Sequence, residues 1–418
     1  MKYNTLYICV SVVLLAALVA GCGACGHGGD CRESQGEAAD IPVDTVLQRR
    51  LGEFAAKPRP AGNFAFHVYD LTADKSVYGY DEDRALPSAS CMKLLSGVAG
   101  LHLLGCDYEY RPEILSCGRA MPDGCFDGDV AFKAGLDPQF QETDLIPYAE
   151  ALKAQGISRI SGKLMVELVV SEPVRSEEHW FPWDLTLSKY GLFYKGGKKV
   201  TAALRYVLRS KGIAVADSQI VLARIPQGFH SVYAGSRPIG DVIGRMWKNS
   251  SNTQATSMLY TIGNKYDPQR HPVEAGTDYL RKFMTEELGM TDTTLTVHDG
   301  CGLCIYNRLS PRLLTAVLKY GWHDGKIREM LEKHLAVAGV DGTLAREMTG
   351  PSTRGKIKAK TGTLSHPYGI SSLAGLCETP DGHVIAFAIM DSEMSVLDAR
   401  VLQRKLCETI MGKNDGRR

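Results

Sequence analysis

The segment from Ser90 to Leu104 restricts the possible folds more than any other part of the chain. Met92, Leu94, Leu95, Val98, Leu101 and Leu104 recur at spacings of three and four, the period of a helix packed on a core. Pro87 upstream and Gly105 downstream punctuate it. Such a helix belongs inside a domain, yet its first turn carries Ser90 and Lys93, and residues i and i+3 share one helix face. A hydroxyl and an amine are thereby set side by side at a buried helix N-terminus, where developing negative charge is favoured.

Two further short motifs follow in order, Ser250-Ser251-Asn252 and Lys360-Thr361-Gly362. At average composition, chance supplies Ser-x-x-Lys about once or twice in a chain of this length, but Lys-Thr-Gly only about one time in ten. Each occurs once here, so the ordered set says more than any member. Serine is a poor nucleophile without an adjacent base. An unperturbed lysine, with a pKa near 10.4, is neutral only about 0.04% of the time at pH 7. Burial and a second cation both lower that pKa, and Lys360 is the expected second cation for Lys93. Ser250 then suits a proton relay to the leaving amine, and Asn252 a hydrogen bond to a substrate amide. A glycine at 362 lets a strand approach a ligand closely. The N–H groups of Ser90 and Thr363 are the expected oxyanion hole, and the Thr361 and Thr363 hydroxyls suit a terminal carboxylate.

Strand alternation frames these motifs. Phe64, Phe66 and Val68 alternate before a turn at 72–75, and Ser76 to Tyr80 reads as the second arm of a hairpin. From about Cys106 to Gln227 short strands mix with a helix over Asp144 to Ala154, and a strand is expected over Leu164 to Val170; this reads as an α+β insertion. Ile239 to Ile262 and Pro311 to Tyr320 read as helices. Strands are expected at Lys356 to Leu364, Ile370 to Cys377 and Val384 to Asp391, with a closing helix at Val396 to Met411.

The N-terminus is that of an exported chain. Lys2 precedes an apolar run from Leu6 to Ala20, too short for the roughly 20 residues of a membrane span but suited to a signal peptide. Val19-Ala20-Gly21-Cys22 resembles a bacterial lipobox, which makes Cys22 the expected lipidation site and the membrane a partner through its acyl chains. The Gly-rich stretch after it reads as a tether. Twelve cysteines in an exported chain permit disulfides, with Cys106, Cys117 and Cys125 close in sequence, but spacing assigns no pair. Cys301 and Cys304 have half-site spacing without a completing set, so they read as loop cysteines, and no metal or cofactor is expected. A net charge of +1 lacks the basic excess of a nucleic-acid binder.

Beyond the motifs, Leu103 to Tyr108, His298 to Leu303, Ala338 to Leu344 and Lys358 to Leu364 resemble the class C low-molecular-weight penicillin-binding proteins, the D-alanyl-D-alanine carboxypeptidase/endopeptidase family also called peptidase S13. The resemblance implies a β-lactamase/transpeptidase-like α/β (α+β) fold, an antiparallel sheet flanked by helices with an insertion between the first two motifs. It divides the chain into a signal peptide (1–21), a tether (22–42), a discontinuous catalytic domain (43–105 and 228–418) and an insertion (106–227). It implies Ser90 as acylated nucleophile, Lys93 as base, Ser250 and Asn252 as the second motif, and Lys360 as the third. Thr361, Gly362 and Thr363 are the implied substrate-binding strand. Peptidoglycan stem peptides are the implied substrate and β-lactams the implied covalent inhibitors. The alternatives are a serine β-lactamase and a non-catalytic wall-binding lipoprotein. This chain departs from the family in reading Pro87-Ser88-Ala89-Ser90 where Pro-Ala-Ser is usual, and in having Cys301 and Cys304 where serines are common.

Overall fold

The alternation begun at Asn63 forms the strand Asn63–Asp70, which returns as Lys75–Tyr80. The turn between them is held by Asp70, whose carboxylate accepts from Thr72 N (2.9 Å) and Ala73 N (3.0 Å). The computed structural model describes residues 41–58, 62–177, 179–181, 184, 189–364 and 369–412; the expected signal peptide, Cys22 and the expected tether as far as Asp40 lie outside them.

This hairpin joins strands from the far end of the chain in one antiparallel sheet. The order is Ala336–Val337, Ile357–Leu364, Ile370–Glu378, Val384–Ser392, Asn63–Asp70 and Lys75–Tyr80. Period two puts alternate side chains on opposite faces, and on the inner strands Ile370–Glu378 and Val384–Ser392 both faces are buried. On Val384–Ser392, Ile385, Phe387 and Ile389 pack with Leu47, Leu51 and Phe54 of the helix Thr45–Ala56 and with Leu406 and Ile410 of the helix Val396–Ile410. Ala386, Ala388 and Met390 face the opposite way, into the cluster that includes Leu94, Leu95 and Val98. The sheet is thus sandwiched between helices, and its inner strands read as near-continuous apolar runs.

The helix Met92–Leu104, just after Ser90, sits in the middle of the inner layer, with every residue from Met92 to Leu101 buried. It packs against the helices Asn252–Tyr266 and Pro311–His323. Gly97 lets it meet the Trp247 ring, since a β-carbon there would lie 2.6 Å from the indole. The sequence placed Ser90 inside this helix; the structure places it in a 3₁₀ turn, Ala89–Cys91, immediately before it.

Between the first two motifs the chain builds a second sheet, ordered His230–Ala234, Glu113–Ala120, Cys125–Lys133, Leu164–Glu167 and Ile220–Leu222. Its first pairings are antiparallel and its last two parallel. The parallel pairs are joined through the helices Ile146–Ala154 and Gly197–Ser210, the crossovers that parallel pairing requires. Cys106, Cys117 and Cys125 are free thiols in this part of the chain.

The continuous helix expected over Ile239 to Ile262 is two, Ile239–Lys248 and Asn252–Tyr266, broken at the second motif. Ser250 takes φ +57°, and Ser251 N donates back to Arg245 O at 3.1 Å, a helix closure that usually has glycine at the left-handed position. Ser251 Oγ then caps the next helix by accepting from Gln254 N at 3.4 Å. The apolar period continues across the break, so periodicity alone does not reveal it.

Candidate active site

Three separate elements deliver the three motifs to one place. Lys93, in the first turn of the helix Met92–Leu104, brings Nζ to within hydrogen-bond distance of Ser90 Oγ, at 2.8 Å. The same nitrogen reaches Asn252 Oδ1 at 2.8 Å and the Cys301 carbonyl at 2.5 Å. Lys360 Nζ donates to Ser250 Oγ at 2.8 Å and to its neighbour's carbonyl, Thr361 O, at 2.6 Å. Both lysine side chains are fully buried while Ser90 and Ser250 remain half-exposed. The amines are therefore inside and the hydroxyls at the opening.

The backbone around Ser90 is held tightly from two sides. The Lys360 strand abuts it through Gly362, where a β-carbon would lie 3.0 Å from Ser90 N, 2.9 Å from Ser88 O and 2.1 Å from Ser372 Oγ. Ser372, paired with Gly362 across the sheet, donates its hydroxyl to Ser88 O at 2.7 Å. From the other side Gly302 (φ +82°) presses on Ala89, whose carbonyl would lie 1.8 Å from any β-carbon at 302. Ala89 itself takes φ +43°, a costly conformation for alanine, at the position where this chain departs from the usual Pro-Ala-Ser.

The loop 299–304 supplies the third partner of Lys93, and its shape is set by one carboxylate. Asp299, buried, accepts from Cys301 N (3.0 Å), Gly302 N (2.6 Å), Cys304 N (2.7 Å) and Asn307 Nδ2 (2.9 Å). Its fifth donor is Trp180 Nε1 at 2.8 Å, from the segment that follows the second sheet's strand Leu164–Glu167. Cys301 and Cys304 are buried free thiols of this loop. The sequence marked the stretch His298 to Leu303 but gave Asp299, Trp180 and the Cys301 carbonyl no role, because backbone acceptors and buried carboxylates leave no spacing signature.

Burial, the largest influence, pulls the Lys93 ammonium below the ordinary lysine range, against the opposing pull of Cys301 and Asp299. Burial likewise lowers Lys360, to about 7, with the charge of Lys93 as the second cause. Burial is thus the main cause for both lysines, as the sequence suggested for Lys93, and the proximity of the two ammonium groups adds to it at Lys360. Asn252, expected to face a substrate amide, uses its carbonyl oxygen on Lys93.

Ser90, Ser250, Thr361, Gly362 and Thr363 line one cavity of about 320 Å³. Thr343 enters it too, accepting the Thr361 hydroxyl at 2.8 Å. So do Arg400 and Arg404 of the helix Val396–Ile410, which the sequence reading assigned only to packing.

A serine hydroxyl against a buried amine, backed by a second buried lysine and a glycine-bearing strand edge, defines an active-site-serine acyl-transfer enzyme. The sequence pattern of the D-Ala-D-Ala carboxypeptidase 3 (S13) family matches residues 47–190 and 195–410. The chain belongs to that family and is a serine-type D-Ala-D-Ala carboxypeptidase. It is 21% identical to the D-alanyl-D-alanine carboxypeptidase DacB of Haemophilus influenzae, over 84% of this chain and 89% of that protein. It is 22% identical to the D-alanyl-D-alanine carboxypeptidase of Actinomadura sp. R39, over 78% of this chain and 77% of the other. The crystal structure of penicillin-binding protein 4 from Haemophilus influenzae shares the fold with a TM-score of 0.73 at 19% identity, covering 86% of this chain and 99% of that one. A predatory peptidoglycan endopeptidase from Bdellovibrio bacteriovorus superposes at 0.57 and 16% identity, covering 86% and 95%.

Proposed function

We propose that Ser90 attacks the penultimate D-Ala carbonyl of a peptidoglycan stem peptide, with Lys93 as the base. The observation that carries this reading is the set of partners around Lys93 Nζ. A neutral amine has two N–H donors and one lone pair. Asn252 Oδ1 and the Cys301 carbonyl are pure acceptors and take the two N–H groups, so the lone pair faces Ser90 Oγ. Lys93 accepts the hydroxyl proton as the O–C bond forms.

The tetrahedral oxyanion lies against the N–H groups of Ser90 and Thr363. Collapse breaks the C–N bond, and the departing amine of D-Ala takes a proton through Ser250, whose hydroxyl is linked to Lys360. Thr361 and Thr363 hold the terminal carboxylate. Water then hydrolyses the acyl-serine by the same route reversed. A β-lactam presents an equivalent carbonyl to Ser90 and, its leaving amine being tethered, stays on the serine.

The same reading makes the chain an exported lipoprotein, cleaved before Cys22 and tethered on the cell-envelope side of a membrane, where stem peptides are found. It takes the second sheet as an insertion in the catalytic domain, one that runs from about 106 through the strand His230–Ala234 and so a few residues beyond the 227 expected from the sequence. Cross-link cleavage, with a longer leaving amine, belongs to it as well.

The test is mass spectrometry after exposure to benzylpenicillin. An adduct of one penicillin per chain on the Ser90 peptide is expected, absent from Ser90→Ala. No adduct on the wild type, or an undiminished one on the variant, overturns the assignment.

A further inference from the structure

We infer that the helix Val396–Ile410 provides a leaving-group subsite for a second carboxylate, one beyond the carboxylate of the departing amino acid itself. The inference rests on the reading above, in which Ser90 is acylated and Thr361 and Thr363 hold the leaving residue's α-carboxylate. It adds the class of leaving group the enzyme prefers.

The cavity that contains Ser90 does not end at the threonines. It continues over Ser371 and Gln403 to Arg400, Arg404 and Glu347. Because the threonines mark the leaving side of the scissile bond, this extension receives what lies beyond the leaving residue's backbone. Its charges are two guanidiniums and one carboxylate. Arg400 is paired with Glu347 at 3.3 Å. Arg404 is exposed and makes no ion pair among the described residues, so one positive charge on the cavity wall is left for a ligand.

The helix that carries these arginines is firmly placed. Gln403, between them in sequence and buried, donates from Nε2 to Ser371 Oγ at 2.9 Å and to Asp391 Oδ2 at 3.0 Å. Ser371 is paired with Thr363 across the sheet. The arginine backbone and the carboxylate cradle are therefore parts of one rigid frame, and their spacing is fixed before substrate arrives. A guanidinium beside a carboxylate cradle selects an anion by a charge-assisted hydrogen bond, the stronger kind. A single D-Ala has no group to offer it. A D-amino acid with an acidic side chain, or the D-centre of a diamino acid that is part of an anionic second peptide, does.

The test compares two substrates that differ in one charge. The acyl donor is diacetyl-L-Lys-D-Ala in both, and the leaving residue is D-Glu in one and D-Gln in the other. The wild type is expected to favour D-Glu in kcat/KM by about tenfold, in line with a hydrogen bond to a charged group. Arg404→Gln is expected to bring the ratio to about one, and Arg404→Lys to keep most of it. Glu347→Gln releases Arg400 and is expected to raise the ratio, a gain that misfolding cannot imitate.

A wild-type ratio near one, or an Arg404→Gln variant that loses both substrates equally, overturns the subsite; the second result assigns Arg404 to the α-carboxylate instead. A wild type that forms no penicillin adduct on Ser90 brings down the catalytic reading and the subsite with it. An adduct without discrimination removes the subsite alone.

Discussion

Replacing Asp299 by asparagine is expected to loosen the loop that holds Lys93 while leaving its volume almost unchanged. The carboxylate has two acceptor oxygens. Oδ1 receives Cys301 N, Gly302 N and Asn307 Nδ2, and Oδ2 receives Cys304 N and Trp180 Nε1. An amide keeps one acceptor and puts an NH₂ donor in place of the other. Whichever way it turns, at least two N–H groups face a donor instead of an acceptor. A buried donor left without a partner costs about 1–3 kcal/mol, so the loss is roughly 2–6 kcal/mol. With an unfolding entropy of about 2.1 cal/mol/K per residue, that lowers Tm by roughly 3–8 °C for a folded region of this size. The Cys301 carbonyl lies inside this loop, so its hold on Lys93 Nζ weakens and acylation of Ser90 by a fluorescent penicillin slows, measured well below the lowered Tm. Trp180→Phe removes one donor from the same carboxylate and is expected to give a smaller fall in both quantities. An Asp299→Asn protein that melts within 1 °C of wild type and acylates within about twofold would refute the reasoning.

Lys360 gives a pH dependence whose sign follows from its lowered pKa of about 7. An unfolded lysine keeps its proton to about pH 10. Above pH 7 the unfolded chain therefore binds about one more proton than the folded one, and stability rises with pH by about 1.4 kcal/mol per unit. Between pH 7 and 9 denaturant unfolding should show about 2–3 kcal/mol more gain in the wild type than in Lys360→Met, and equal slopes would contradict the burial argument. Gly362→Ala drives a methyl into Ser372 Oγ and toward Ser90 N. It is expected to cost about 1–3 kcal/mol of stability and to reduce the acylation rate about 100-fold or more by displacing an oxyanion donor; unaltered acylation kinetics would show that the strand has room. Gly302→Ala meets the Ala89 carbonyl and also requires φ +82°, so it should lower both Tm and acylation, and a crystal structure with Ala89 unmoved would contradict that.

What could be read in the sequence was whatever carries a period or a fixed spacing. The three motifs, the hairpin at Asn63 and the C-terminal strands all have one, and the strands lie within a residue or two of their expected ends. The break at Ser250 went unread because the apolar rows of the helices Ile239–Lys248 and Asn252–Tyr266 continue each other's period. The left-handed backbone of Ser250 and the extended Ser251 separate them, and serine does not advertise the left-handed conformation as glycine would. The helix Thr45–Ala56 was missed although Asp44 caps it, accepting from Val46 N and Leu47 N. The weight of burial at the two lysines was hidden for a different reason. A motif shows that two amines belong together, but how deeply each is buried is a property of the packed molecule. Arg400 and Arg404 escaped notice because an arginine on a helix reads as solvated surface until the cavity beside it is known.

The double clamp on Ser90 bears on how such an enzyme could escape its inhibitors. Gly302 on one side and Gly362 on the other leave no space for an added methyl group near the serine. A chain under β-lactam selection therefore has few tolerable changes next to the nucleophile, since those that would block the drug also displace the peptide N–H that its natural reaction uses. The changes open to it lie farther out, among the exposed residues Thr343, Arg400 and Arg404 at the cavity wall. Resistance by substitution would be expected to accumulate on that rim, and inhibitors that bind only at the clamped centre would give it the least to work on.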